Sequence, residues 1–333
     1  MHVSTVSRAL NPATRTLVGR ETVTRVEQVA RDLGYHHNAA AASLRTGRSK
    51  LVGVFLPDIS NTVFSPILGG ITEVLSEQGF SIIVADVGAE KQRQLDLMFE
   101  LMARRVEGLI LATVSRKDNL VGQCIADGLP VVLVNRAEGD TRVSAATSDD
   151  RLGMRLAVEH LRKLGHRCIG HIAGPQNLST GYLRREGFEQ AAGALGLAGD
   201  DAPIEIGEAY SRGAGAEAAK RLLARAPRPT AIVAANDLLA LGAYDAVRAA
   251  GLKIPRDISI VGHNDMPLVD LVEPPLTTIR ISHRELGREA ARLLLSEIGE
   301  EHAPKRNTVL TPELIIRGST AAPGRSGTRG SST

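Results

Sequence analysis

A doubly wound α/β body in two lobes, preceded by a small, basic, all-α head, is the fold this sequence predicts, and three observations carry that reading. From Leu51 onward, short apolar runs of strand length alternate with longer amphipathic stretches, the pattern of parallel strands covered by helices on both faces. The chain has 333 residues, roughly two domains at about 150 residues each. The first fifty residues hold 8 Lys+Arg against 3 Asp+Glu, although the whole chain carries a formal net charge of only +3. A basic head therefore precedes a near-neutral body.

In the head, Val6, Ala9 and Leu10 form one apolar face of a short helix. Asn11-Pro12 ends it, because the residue before a proline avoids the α region. Ser4 and Arg8 share the opposite face. Val26, Val29, Ala30 and Leu33 recur at i, i+3, i+4 and i+7, marking a second helix with Gly34 at its C-cap. Two short helices on a basic head are helix-turn-helix material, which makes nucleic acid the first partner to consider. On charge alone, a solvated basic face explains the same residues.

In the body, 51–56, 81–87, 108–113 and 131–134 are strand-length runs rich in Val, Ile and Leu. Leu68, Ile71, Val74 and Leu75 mark a helix between the first two, and Leu95, Met98, Leu101 and Met102 mark another before the third. The alternation resumes with a helix over 151–164, a strand at 168–173 and a helix through Phe188 and Leu195. Helices at 216–224 and 238–250 and strands at 231–234 and 258–261 follow. So many units exceed one open sheet, so the body divides near residue 149 into two lobes with a cleft between them. A helix over 282–298 returns to the first lobe. Lobe 1 is expected at 51–149 plus about 280–306, and lobe 2 at 150–279 plus about 307–320. The tail, 321–333, lacks apolar periodicity and is expected to be disordered.

Composition excludes other classes. Hydrophobic residues make up 43% and charged residues 23%, the proportions of an ordinary globular protein rather than a disordered one. The two cysteines, Cys124 and Cys168, are too few for a disulfide framework or a four-ligand zinc site. No apolar run approaches the roughly 18 residues of a membrane span, and the N-terminus lacks the apolar stretch of a signal peptide. The expectation is a cytoplasmic protein that is neither exported nor bound to a membrane.

Residues 3–11 (Val-Ser-Thr-Val-Ser-Arg-Ala-Leu-Asn), 33–38 (Leu-Gly-Tyr-His-His-Asn) and 43–49 (Ser-Leu-Arg-Thr-Gly-Arg-Ser) resemble the recognition helix, the third-helix end and the hinge segment of the lactose and galactose repressor family of bacterial transcription regulators. The resemblance continues in order through 58–64, 158–166, 235–237, 275–279 and 313–320, covering nearly the whole chain. No single piece is specific; the ordered set is. Head and hinge then divide as 1–37 and 38–50. One departure stands out: the family's head opens with a further helix, whereas this chain starts at Met1 inside the turn. The expectation is a reading frame that starts upstream, and without that helix Val6, Leu10 and Val26 lose burial.

The resemblance implies a periplasmic-binding-protein-like body, a homodimer, double-stranded operator DNA and a small sugar-like effector as partners, and no cofactor or metal. Val3 and Ser4 would read operator bases, Arg8 would make a further base contact, and Thr5 and Ser7 would contact phosphates; plain helix packing is the alternative for Val3. The hinge helix, about 38–45 and including Asn38 and Ala41, would order on the operator and wedge Leu44 into the minor groove. Effector contacts would be Asn61 and Phe64 from lobe 1, Asp149 near the crossover, and Arg184, Tyr210, Asn236 and Asn264 from lobe 2. Asp, Asn and Arg suit vicinal hydroxyls, while the two aromatic rings offer flat faces to sugar C–H groups. Alternatives are that Phe64 is core and that Asp149 caps the helix at Arg151. Asn264 stands where the family usually has Asp, which points toward an anionic or oxidised sugar. Thr62 and Val63 also depart from the family pattern.

Gly213-Ala-Gly215-Ala-Glu-Ala218 matches a loose dinucleotide fingerprint, but a turn-like stretch precedes it and Pro227 and Pro229 interrupt the unit, so it reads as coincidence. His160, His166, Cys168 and His171 read as structural rather than as a metal site. Neither a nucleophile elbow nor a P-loop occurs, so nothing argues for an enzyme. The rival reading is a solute-binding protein that does not bind DNA; an α/β oxidoreductase ranks behind it.

Overall fold

A computed structural model describes residues 2–10, 14–35, 47–88, 90–300 and 303–324. They form two compact units, Met1–Lys50 and Leu51–Thr333. In the first, helix α1 (Val3–Leu10) and a short 3-10 turn (Arg15–Leu17) lead to α2 (Arg20–Asp32). Gly34 adopts φ +61°, and the Tyr35 N–H reaches back to the Ala30 carbonyl, closing α2 with the glycine-based cap its sequence implies. Ala9 and Val26 are buried, yet Val3, Val29, Leu33 and Tyr35 are exposed. With Val6 and Leu10, which are half-buried, they line an apolar groove of about 480 Å³; contrary to expectation, Val26 keeps its burial, because α1 packs over it. Asn11 and Pro12, like the hinge residues Asn38, Ala41 and Leu44, lie outside the described residues.

The second unit runs β1 (Leu51–Leu56), α3 (Phe64–Glu77), β2 (Ser81–Asp86), α4 (Lys91–Ala103), β3 (Gly108–Leu111), α5 (Asn119–Ala126), β4 (Val131–Val134) and β5 (Ser144–Ser148). It continues with α6 (Asp150–Lys163), β6 (Ile169–Ala173), α7 (Ser179–Ala194), β7 (Ile204–Ile206), α8 (Arg212–Leu223), β8 (Ala231–Ala234), α9 (Asp237–Ala249), β9 (Ser259–Asn264) and β10 (Thr277–Arg280). The last elements are α10 (His283–Gly299), β11 (Asn307–Leu310) and β12 (Glu313–Ile315).

The strands form two six-stranded sheets, ordered β2-β1-β3-β4-β5-β11 and β7-β6-β8-β9-β10-β12. Every pairing is parallel except β12 against β10. The central strands β3, β4, β6 and β8 are buried along their whole length, as strands covered on both faces must be. Each sheet has two apolar clusters. Ile67, Ile71 and Leu75 of α3 meet Leu286, Ala290 and Leu294 of α10 in one of them, so α10 returns to lobe 1 as its sequence position implied. Burying each such Ile or Leu side chain contributes about 1.5–3 kcal/mol.

Two expectations need correction. The strand Asn307–Leu310 belongs to lobe 1, because Asn307 pairs with Ala145 and Leu310 with Ser148 in a parallel ladder. The last crossing therefore falls between β11 and β12 rather than at residue 306. The open edge of β5 needs backbone partners, and β11 supplies them. The tail is also anchored further than its composition implied: Ala321 exchanges two hydrogen bonds of 3.1 Å with the Ser259 hydroxyl, and its carbonyl lies 2.9 Å from His166 Nε2. Residues 325–333 lie outside the described residues. Among the described residues, no helix is long and apolar enough to cross a membrane.

Candidate functional site

In both sheets the strand order reverses direction beside the first strand of the lobe, and in such sheets ligands bind in the crevice at the carboxyl ends of the strands. The side chains gathered between the lobes come from those ends. Asn61 follows β1 in a turn that it shapes itself, its Oδ1 accepting from the Val63 N–H at 3.2 Å and its carbonyl from the Phe64 N–H at 3.1 Å. Asn135 and Arg136 follow β4, Thr180 opens α7 after β6, and Tyr210 follows β7. Asn236 caps α9 with its Oδ1 on the Leu239 N–H at 2.9 Å, which leaves its amide NH₂ to donate elsewhere. Asn264 ends β9 with φ 122°, a conformation that a non-glycine residue holds at a cost of about 1–3 kcal/mol and that concentrates at ligand sites.

These residues, with Val63, Phe64 and Arg184, line an inner pocket of about 40 Å³, room for only a few water molecules. It thus brings together six sequence-predicted positions: Asn61, Phe64, Arg184, Tyr210, Asn236 and Asn264. Phe64 serves core and pocket at once, being buried in the α3–α10 cluster. Outside the inner pocket lies a chamber of about 360 Å³, which Asn61, Arg136 and Tyr210 also border.

Asp149 is not among the pocket residues. Its carboxylate caps α6, accepting from the Leu152 N–H at 2.9 Å, and it borders a separate depression with Arg151 and Arg155. The capping alternative therefore describes its geometry. The carboxylate that reaches the site is its neighbour Asp150, which the sequence reading missed. Asp150 (5% exposed) accepts from Arg184 Nε (3% exposed) at 2.7 Å, and Arg184 Nη1 donates to the Ala235 carbonyl at 2.7 Å. Burial raises the Asp150 carboxyl above its ordinary range against the pull of Arg184. Burial opposes the charge on Arg184 too, but Asp150 outweighs it and keeps the guanidinium protonated. Asn135, Arg136 and Thr180 were missed as well; for Arg136, its position two residues past a parallel strand is the one signal that marks it.

The lobes also touch across the cleft. The Ala137 N–H donates to Ser179 Oγ at 3.0 Å, the Arg116 N–H donates to the Asn177 carbonyl at 2.9 Å, and the Arg116 guanidinium lies 3.7 Å from the Tyr182 ring centroid. Such polar contacts can be exchanged at small net cost.

The histidines of lobe 2 are bonded within it. His160 Nε2 meets Thr320 Oγ1 at 2.9 Å, His166 lies between Thr230 and Ala321, and His171 bonds the Val233 carbonyl while stacking on Phe188. Burial pushes His171 and His283 down to about 4 and Asp237, beneath Asn236, up to about 6. The lowered imidazoles contribute stability above their unfolded value of about 6.5 that is lost as pH falls toward 4. The raised carboxyl acts oppositely, its contribution being lost as pH rises through about 6. His263, lowered by burial and Arg184, and Asp150, raised by burial, add one group to each side. His160 and His166 are lowered by burial as well, so the lowered imidazoles outnumber the raised carboxyls and the body loses stability as pH falls from 6 toward 4. Urea melts at pH 7.5, 6 and 5 should show this fall; a stability that rises on acidification contradicts it.

In the head, α1 exposes Val3 (80% exposed), Ser4, Ser7 and Arg8, and leaves Thr5 half-buried. Ser4 Oγ lies 2.6 Å from His2 Nδ1. Ser4, Ser7 and Arg8 fall at i, i+3 and i+4 and so share one polar face, while Val3 also borders the apolar groove. Of the loose fingerprint, Gly213 faces open space, whereas Gly215 and, on the facing helix, Gly242 serve packing: a Cβ on Gly215 would lie 2.4 Å from the Leu239 carbonyl oxygen, and one on Gly242 would lie 2.1 Å from that of Arg212. They allow α8 and α9 to touch along their backbones.

Residues 158–320 match the periplasmic binding protein-like domain family. Over 328 residues the chain is 32% identical to the HTH-type transcriptional repressor CytR of Escherichia coli (strain K12), covering 96% of this chain and 93% of CytR. It is similar in structure to the lac repressor dimer bound to operator and the anti-inducer ONPF, with 29% identity and a TM-score of 0.85 over 96% of this chain and 95% of that one. A further similar structure is the complex of the transcriptional regulator CelR with cellobiose, with 30% identity and a TM-score of 0.77 over 95% and 94%. With its helical head, two-lobed α/β body and interlobe pocket, the chain belongs to the LacI family of HTH-type transcription regulators.

Proposed function

We propose that this chain represses transcription as a cytoplasmic homodimer, and that its affinity for operator DNA is changed by a small, sugar-like effector held between its lobes. The observation that carries this reading is the inner pocket itself, where Asn61 and Phe64 of lobe 1 face Arg184, Tyr210, Asn236 and Asn264 of lobe 2. A ligand that touches both lobes binds one relative orientation better than another and shifts the population toward it. Cellobiose in the CelR complex supports the sugar class, and operator in the lac repressor complex supports the DNA partner. The exposed face of Ser4, Ser7 and Arg8 supports groove contact, with Val3 and Thr5 beside it. Asn38, Ala41 and Leu44 complete the proposed DNA contacts. The work of the cleft is recognition rather than catalysis, and no cofactor is required.

Fluorescence anisotropy of labelled DNA from the gene's own promoter region tests the DNA half. Affinity should fall steeply with salt as phosphate-bound counterions are released. Arg8→Ala should weaken it by about 1–3 kcal/mol, roughly 5- to 150-fold, as for a base-reading arginine. Salt-insensitive binding, or none, favours a solute-binding protein that does not act on DNA.

A further inference from the structure

We propose that the effector carries a negatively charged group, a carboxylate or a phosphate ester, which Arg136 holds at the neck between the inner pocket and the outer chamber. This rests on the effector reading above and narrows its chemical class. Arg136 borders both cavities. Its Nε is buried without a hydrogen-bond acceptor among the described residues, and no carboxylate there pairs with it, in contrast to Arg184 with Asp150 at 2.7 Å. The inner pocket is lined by two guanidinium groups and no carboxylate. Asp58 and Glu208 border the outer chamber but are exposed, where water and salt screen them.

A guanidinium partly removed from water, with its Nε buried and no counter-charge beside it, is held against a desolvation cost, which an anion in its plane would offset. Its flat array of donors matches a carboxylate or a phosphate in two parallel hydrogen bonds. Two other buried atoms without a partner among the described residues, Gln94 Oε1 and Thr113 Oγ1, belong to residues bordering the same outer chamber. They offer an acceptor and a hydroxyl to the remainder of a polar ligand. Burial also lowers the Arg136 pKa from its ordinary value, as expected of a cation waiting for a partner.

The test is calorimetric titration and thermal melting of the full chain, using matched probes: glucose, glucuronate and glucose 6-phosphate; galactose, galacturonate and galactose 6-phosphate; ribose and ribose 5-phosphate. At least one anionic probe should bind at least about tenfold tighter than its neutral parent, the difference expected of a charge-assisted hydrogen bond. Whether the sugar acid or the sugar phosphate binds tighter separates carboxylate from phosphate. Arg136→Met should remove that preference, Arg136→Lys should restore part of it, and the ligand-free Arg136→Met chain should melt no lower than the parent. Neutral sugars that bind as tightly as their anionic partners overturn the proposal and leave the effector reading standing. An Arg136→Met chain that melts several degrees lower yet keeps its preference for the anion makes Arg136 structural and also overturns it. Silence from every probe overturns both readings.

Discussion

Asp150→Ala should destabilise the two-lobed body by about 3–5 kcal/mol, because it leaves the Arg184 guanidinium buried without its counter-charge. Both side chains are nearly inaccessible and meet at 2.7 Å, so water cannot take over the lost partner. Among the described residues, only the Ala235 carbonyl continues to accept from Arg184. The neighbouring substitution Asp149→Ala removes a helix cap instead and should cost about 1 kcal/mol. The contrast between two adjacent aspartates distinguishes a buried ion pair from a capping role. Replacing both partners, as Asp150→Leu with Arg184→Met, should recover most of the stability while abolishing the response to effector. Urea unfolding of the four chains checks the order; equal losses for Asp149→Ala and Asp150→Ala would show that the pair does not carry the site.

Gly215→Val has the other large expected effect. The added Cβ would stand 2.4 Å from the Leu239 oxygen and 2.6 Å from its Cα. Both are backbone atoms of α9, so no rotamer change relieves the clash and the helices must part. Overpacking a well-filled core costs about 1–3 kcal/mol, and the backbone encounter places this variant at or above the upper end of that range. A packing role predicts a lower melting temperature and no change in the response to nicotinamide cofactors. A variant that melts normally but loses nucleotide binding would restore the dinucleotide reading of these glycines.

Where burial on both faces leaves a continuous Val, Ile and Leu run, the strand was legible: Leu51–Leu56 and Val131–Val134 stand where the sequence placed them. Ser144–Ser148, read as Ser-Ala-Ala-Thr-Ser, carried no such signal. It is buried because α10 and the neighbouring strands close over it, a property of the fold rather than of the segment. The short strands β11 and β12 take their register from β5 and β10 and have little pattern of their own. At the site, chemistry was legible where a side chain belongs to a motif, as Asn236 does in Ala235-Asn-Asp237. The roles of Asp149 and Asp150 could not be separated from sequence, because either aspartate suits the start of a helix and only packing turns one of them toward Arg184. Arg136 belongs to a loop whose local sequence says nothing of the cavity it enters.

Coupling between cleft and DNA is the central claim, and linkage makes it measurable in both directions. Anisotropy of labelled promoter DNA should be titrated with the full chain in the presence and absence of whichever sugar or sugar acid calorimetry shows to bind the cleft. The affinity of that same ligand should then be measured with and without DNA. The account predicts a change in DNA affinity of about 5- to 150-fold, matched by an equal factor in ligand affinity. A ligand that binds the cleft while leaving DNA affinity unchanged would contradict it.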